Sequence, residues 1–127
     1  MIKWIEVENN NLYVDGVKIK ETIGRFLNNL SKENRIDLSS LKKATKDLLI
    51  IKRSIPIFIN KSLLLVKVKL NKEEIVYFNY AAVKDYLIKE KMLFLFFIDG
   101  TKEKLKISKR RSENLLFNAA KVYDYWT

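Results

Sequence analysis

From Leu49 to Ser108 the chain passes through one strand-like segment after another, and no other feature limits its fold as much. "LLIIKRSIPIFIN" and "SLLLVKVKL" are rich in β-branched and aliphatic side chains, and Val66-Lys67-Val68-Lys69-Leu70 alternates cleanly. "EIVYFNY" and "AAVKDYLIKE" read as two further strands joined near Asn79. "MLFLFFID", followed by Gly100 and "TKEKLKIS", reads as a hairpin. Links this short join antiparallel neighbours, because a parallel pair needs a crossover of about a dozen residues or more. Pro56 has no backbone N–H to give, so its segment belongs at a sheet edge or a bulge.

The flanks complete the pattern. "IKWIEVENNNLYVDGVKIK" alternates in period two and carries turn signals at Asn9 to Asn11 and at Asp15-Gly16, which predicts two or three antiparallel strands. In "ETIGRFLNNL", Ile23, Phe26, Leu27 and Leu30 share one helical face; "SKENRID" then reads as a polar connection. A second short helix is expected from Ser39 to Leu48, capped by Ser39 or Ser40. Helical spacing returns from Lys109 to Thr127, with Ser112 before Glu113 as the N-cap. The order predicts an α+β fold: a mainly antiparallel sheet, two short helices after the N-terminal strands and one C-terminal helix. The 127 residues suit a single domain, made of a neutral hairpin and helix over 1–38 and a basic part over 39–127.

The residues that are missing narrow the chemistry. Without cysteine there is no disulfide or thiolate, and without histidine the chain lacks both the commonest metal ligand and the usual proton shuttle at neutral pH. Asp47, Glu73-Glu74, Asp85 and Glu90 show no motif spacing and no adjacent nucleophile. A non-enzymatic protein without cofactor or metal is therefore expected. "MIKWIEVENN" carries acids where a secretory signal would be apolar, and the longest apolar run, Met92 to Ile98, falls far short of the ~20 residues of a membrane span. A cytoplasmic protein with no membrane partner is the expectation.

The charge is lopsided. Residues 1–40 hold six basic and six acidic side chains, so the whole net charge of +10 sits in residues 41–127. Such asymmetry points to nucleic acid or another polyanion. Its densest part is "FIDGTKEKLKISKRRSENL". If Asp99-Gly100 is a two-residue turn, Phe97 faces Lys102, Leu95 faces Lys104 and Leu93 faces Lys106, while Phe96, Phe94 and Met92 share the core side with Leu105 and Ile107. Ammonium groups about 6.5 to 7 Å apart along a strand then form a row able to follow phosphates. Lys109, Arg110 and Arg111 extend that row into a helix start, where free N–H groups also favour anions. A solvated strand face whose lysines cover apolar neighbours and block edge pairing is the plainer alternative, and Lys67 and Lys69 carry the same ambiguity. Tyr123, Tyr125 and Trp126 sit at core spacing, although aromatics of this kind can also stack on bases.

The segments "SSLKKATK", "IPIFIN", "YFNYAAVKDY", "FIDGTKEKLKIS" and "SENLLFNAAKVYDYW", in that order, resemble the competence transcription factor (ComK) family over roughly two thirds of the chain. The resemblance implies a promoter-binding activator, oligomeric on AT-rich double-stranded DNA and controlled by a protein adaptor. A DNA-binding regulator is thus the leading expectation. Lys67, Lys69, Lys102, Lys104, Lys106, Lys109, Arg110 and Arg111 would contact phosphates, and Asn79, with Tyr80 and Asn114, would read bases. A protein-interaction module with the same fold and no DNA binding is the alternative. The LytTR response-regulator domain shares the hairpin leading to a last helix but fits less of the chain.

Overall fold

A computed structural model describes residues 1–51 and 54–127. It is α+β, with nine strands and three α-helices among the described residues. The strands are β1 (Trp4–Glu8), β2 (Asn11–Val14), β3 (Val17–Ile19), β4 (Ile57–Asn60), β5 (Leu63–Lys69), β6 (Glu74–Asn79), β7 (Val83–Lys89), β8 (Met92–Phe97) and β9 (Lys102–Leu105). The helices are α1 (Ile23–Glu33), α2 (Leu38–Leu49) and α3 (Lys109–Trp126). Every strand pairing is antiparallel. Six strands form one sheet in the order β3-β2-β1-β6-β5-β4, and β7-β8-β9 form a second.

Side-chain alternation on the large sheet feeds two separate cores. On one face Trp4, Leu64, Val66, Val68, Val76 and Phe78 pack against Leu93, Leu95, Phe97 and Leu105 of the small sheet and Leu115, Leu116, Ala119 and Val122 of α3. On the other, Ile5, Leu12, Ile57, Ile59, Leu63, Leu65 and Tyr77 meet Leu27 and the apolar flanks of α1 and α2. The large sheet is thus the middle of three layers. Pro56 lies just before β4, the edge strand, whose register with β5 is irregular between Phe58 and Asn60.

Helix starts differ from the sequence expectation in a consistent way. The side chain of Asp37, not Ser39 or Ser40, accepts the first free N–H groups of α2. In α3 that role falls to Ser108, whose Oγ accepts from Arg111 N–H at 3.2 Å, while Ser112 is buried and donates to the Ser108 carbonyl. In both cases the cap stands earlier in the chain than expected, and the later serine occupies the first turns of the helix. Helix α1 runs through Ser31 to Glu33, where a connection was expected, and the buried Ser31 hydroxyl is accommodated there by donating to the carbonyls of Leu27 and Asn28. The strand expected from Leu49 begins only at Ile57, since Leu49 closes α2 and Ile50 adopts the left-handed conformation that stops it. Lys52 and Arg53, also included in that expected strand, lie outside the described residues.

The tie between the two sheets is electrostatic at one end. Lys3 Nζ, just before β1, pairs with the Asp99 carboxylate in the β8–β9 loop, and Asp99 also accepts from the Thr101 hydroxyl and N–H. The hydrogen bond from Lys3, followed by those from Thr101, holds the Asp99 carboxyl below the usual carboxylate range, and the Lys3 ammonium is raised, mainly by the same bond. The depressed acid stabilises the fold above its unfolded pKa of about 3.9 and loses that contribution as pH falls below it. The raised lysine acts below its unfolded value of about 10.4 and is lost above it. The pair therefore works between about pH 4 and pH 10. Asp99→Asn is expected to flatten the fall in melting temperature between about pH 5 and pH 2; an unchanged acid limb would show that the pair contributes nothing.

Candidate nucleic-acid interface

The β8–β9 hairpin decides which side chains meet solvent. Its loop has three residues, not two: Phe97 N–H donates to the Thr101 carbonyl at 2.9 Å, Gly100 N–H donates to the Phe97 carbonyl at 3.0 Å, and Gly100 takes a φ of +89°. This is a type I turn closed by a left-handed residue, a conformation that glycine adopts without penalty. The extra loop residue shifts the register by one. Leu93 pairs with Leu105, Phe94 with Lys104, Leu95 with Glu103 and Phe96 with Lys102.

A one-residue slip moves a strand's side chains to the opposite face. Leu93, Leu95 and Phe97, expected beside the lysines, are therefore buried, and Phe94 and Phe96, expected in the core, lie on the open face. Leu105 and Ile107 remain core residues as expected. Lys102 and Lys104 are exposed on the outer face of the small sheet, with Lys106 exposed just beyond the strand.

Rows across this face follow from the pairing. Asp85, Phe96 and Lys102 form one, Leu87, Phe94 and Lys104 the next, and Lys89 beside Met92 a third. The face holds a shallow groove of about 570 Å³ lined by Leu87, Lys89, Phe94, Phe96, Lys102 and Lys104, with Glu103 at its margin. Glu103 falls between the two lysines in sequence and so projects to the opposite side. There it joins Glu6, Glu8 and Asp15 around a second cleft of about 500 Å³, and its carboxyl is raised by burial and by the Glu6 charge. Alternation along β9 thus sorts cations to one side and acids to the other. Among the described residues no acid lies within ion-pair distance of Lys89, Lys102, Lys104 or Lys106.

The other expected contacts divide. Lys109 and Arg110 are exposed at the start of α3, and Lys109 sits 3.9 Å from Glu113. Arg111 is half-buried and donates from Nη2 to the Lys69 carbonyl at 2.6 Å, which fastens α3 to the end of β5. Lys67 and Lys69 are exposed but project from the face of the large sheet opposite Val66 and Val68, towards the α1 and α2 layer. They do not join the Lys102 surface.

Asn79 is not a base reader. It is fully buried, and its side chain uses its whole hydrogen-bonding capacity. Oδ1 accepts from Leu64 N–H (3.0 Å) and Ala81 N–H (3.1 Å); Nδ2 donates to the carbonyls of Ile2 (2.7 Å) and Ser62 (2.9 Å). A turn residue was expected at this position, and Asn79 does cap a single 3₁₀ turn at Tyr80–Ala82. Tyr80 is half-buried against Tyr123, whereas Asn114 is exposed. At the end of α3, Trp126 stacks on Phe58 with centroids 6.4 Å apart and the Tyr123 hydroxyl donates to the Lys61 carbonyl, so both are held by packing.

Sequence reasoning missed Lys89, Phe94 and Phe96 as surface residues. The signal that could have found Lys89 was its odd-numbered alternation with Asp85 and Leu87, which puts it on the same face as the cationic strand once register is known. Among the described residues no group of carboxylates is arranged to hold a metal ion, and no helix is long and apolar enough to cross a membrane. No family model, curated protein or solved structure matches this chain.

Proposed function

We propose that this protein is a DNA-binding regulator that uses the outer face of β7-β8-β9 and the start of α3 to contact the phosphates of double-stranded DNA. The observation that carries the reading is the sorting of charge along β9. Lys102 and Lys104 stand exposed and without acidic partners on one face, while Glu103 is turned away. Lys89, Lys106, Lys109 and Arg110 extend the cationic area. Phosphate contacts of this kind set affinity and register without reading sequence. The resemblance to the competence transcription factor family adds an activator role, a preference for AT-rich promoters, assembly into an oligomer and an adaptor protein as partner, and the polar start of the chain adds a cytoplasmic location.

The test is a fluorescence anisotropy salt titration on random and AT-rich duplexes. Log K is expected to fall linearly with log salt, with a slope of about −0.9 for each phosphate neutralised, and four to six such contacts would give about −4 to −5. No binding at about 50 mM salt, or a flat response, removes the reading.

A second reading, a protein-interaction module, draws on the other exposed apolar area. Phe117 is 68% exposed beside Tyr86 and Ile88, across a groove of about 480 Å³ between α3 and β7. Partner capture that survives nuclease treatment and is lost in Phe117→Ser, with the lysines intact, would favour it over DNA binding.

A further inference from the structure

The open face of the small sheet has an aromatic centre as well as a cationic rim, and duplex DNA leaves that centre without a role. Phe94 and Phe96 lie two apart on the middle strand, on the same side, with Phe96 36% exposed and Leu87 51% exposed beside them. Phe94 is half-buried, and together with Phe96 and Leu87 it leaves a contiguous apolar area in water at the middle of the sheet face, the kind of patch that marks a binding surface. Two residues along a strand separate the rings by about 6.5 to 7 Å, roughly twice the 3.4 Å per-strand rise of stacked duplex bases. Base faces inside a duplex are covered by their neighbours, and only their edges reach the grooves. Bases that are unpaired and drawn apart present free faces, and aromatic side chains take these up with little regard to sequence.

We propose that this face binds single-stranded DNA, with successive bases stacked on Phe94 and Phe96 and the backbone running along the β9 rim over Lys102 and Lys104. The arrangement has a direction across the sheet. Asp85 occupies the β7 end of the Phe96 row, and its carboxylate accepts the Tyr86 N–H, so phosphates are favoured on the β9 side and bases lie over β8 towards Leu87. The three rows carry no serine, threonine or asparagine placed to select for a ribose 2′-hydroxyl, and DNA is taken as the ligand in line with the regulator reading. The proposal rests on the nucleic-acid reading above and adds the strandedness and the stacking residues.

The experiment measures anisotropy of the full chain with a labelled single strand of about ten nucleotides, the matching duplex and the matching RNA strand, at about 50 mM salt. The single strand is expected to bind. Phe94→Leu combined with Phe96→Leu, which keeps apolar area and removes the ring faces, should weaken single-strand binding about a hundredfold, at about tenfold per ring, and change duplex binding less than about twofold. Phe96→Trp should retain affinity and show fluorescence quenching on adding the strand, beyond any quenching of the wild-type tryptophans. Circular dichroism checks each variant, and Phe96→Leu alone, outside both cores, serves if the double change unfolds. Duplex binding without single-strand binding overturns this inference and leaves the regulator reading standing, whereas binding of neither sinks both. Undiminished single-strand binding by the leucine variant overturns the stacking assignment, and tighter binding of RNA overturns the assignment to DNA.

Discussion

Asn79→Ala is expected to lower the unfolding free energy by roughly 3 to 5 kcal/mol, a large part of the roughly 5 to 15 kcal/mol available to a domain of this kind. The side chain joins four backbone groups that no other residue brings together: the end of β1's lead-in at Ile2, the β4–β5 turn at Ser62, the first paired residues of β5 at Leu64 and the 3₁₀ turn at Ala81. Truncation strands two N–H donors and two carbonyls at a site where Leu64 and Asn79 itself are fully buried. Each stranded buried group costs about 1 to 3 kcal/mol, and the partly accessible ones at the lower end of that range are recovered by water. Asn79→Asp keeps the two acceptor contacts and, while protonated, one donor, so it should fall between wild type and alanine at low pH and approach alanine once the carboxylate ionises and faces the Ile2 and Ser62 carbonyls with no donor left. Urea denaturation with an unchanged m-value would measure both. A loss under about 1 kcal/mol would show that water replaces the amide at no cost.

The second large effect concerns the cationic strand. Changing Lys102, Lys104 and Lys106 together to glutamate should abolish measurable duplex binding at about 150 mM salt, and at low salt should reduce the magnitude of the salt slope by about 2.7, three contacts at about 0.9 each. All three side chains are exposed, and among the described residues none is in an ion pair. Substitutions on such surfaces normally shift stability by no more than about 0.5 kcal/mol each. Melting temperature is therefore the control: binding should vanish while the transition stays near its wild-type position. A matching triple change to glutamine separates loss of attraction from added repulsion. Retained duplex affinity in the glutamate variant would place the nucleic acid elsewhere on the molecule.

The α+β class, the N-terminal strands, the helical face of α1 and the terminal helix were legible because each has a clean period or a turn signal. The face of β8 was not. Met92 to Phe97 is apolar at every position, so alternation says nothing about which side is buried, and register depends wholly on the loop. Asp99-Gly100 suits both a two-residue turn and the last positions of a three-residue one, and these differ only in whether Ile98 is part of the loop. The exposed lysines survived that error because Lys102 and Lys104 of β9, and Lys106 just after it, alternate with Leu105 and Ile107; their apolar neighbours on β8 did not. Asn79 illustrates a different blind spot. Its residue type announced a turn correctly, but burial depends on Ile2 and Ser62, distant in sequence, arriving around it. Lys67 and Lys69 share the alternation of Lys102 and Lys104, and only the stacking of one sheet on another reveals that the two pairs look in opposite directions.

The place of β1 between β2 and β6 has a consequence for how the molecule comes together in time. Trp4 pairs with Phe78 and Glu8 with Glu74, so the second strand partner of the opening segment is encoded some seventy residues later. Entropy lost in closing so long a loop must be met before the contact returns any stabilisation, which is the condition that slows chains dominated by distant pairings. The β1-β2-β3 meander can form early, but its β1 edge stays open until β6 docks along it. Assembly of the middle layer is therefore the slow event, and both cores wait on it.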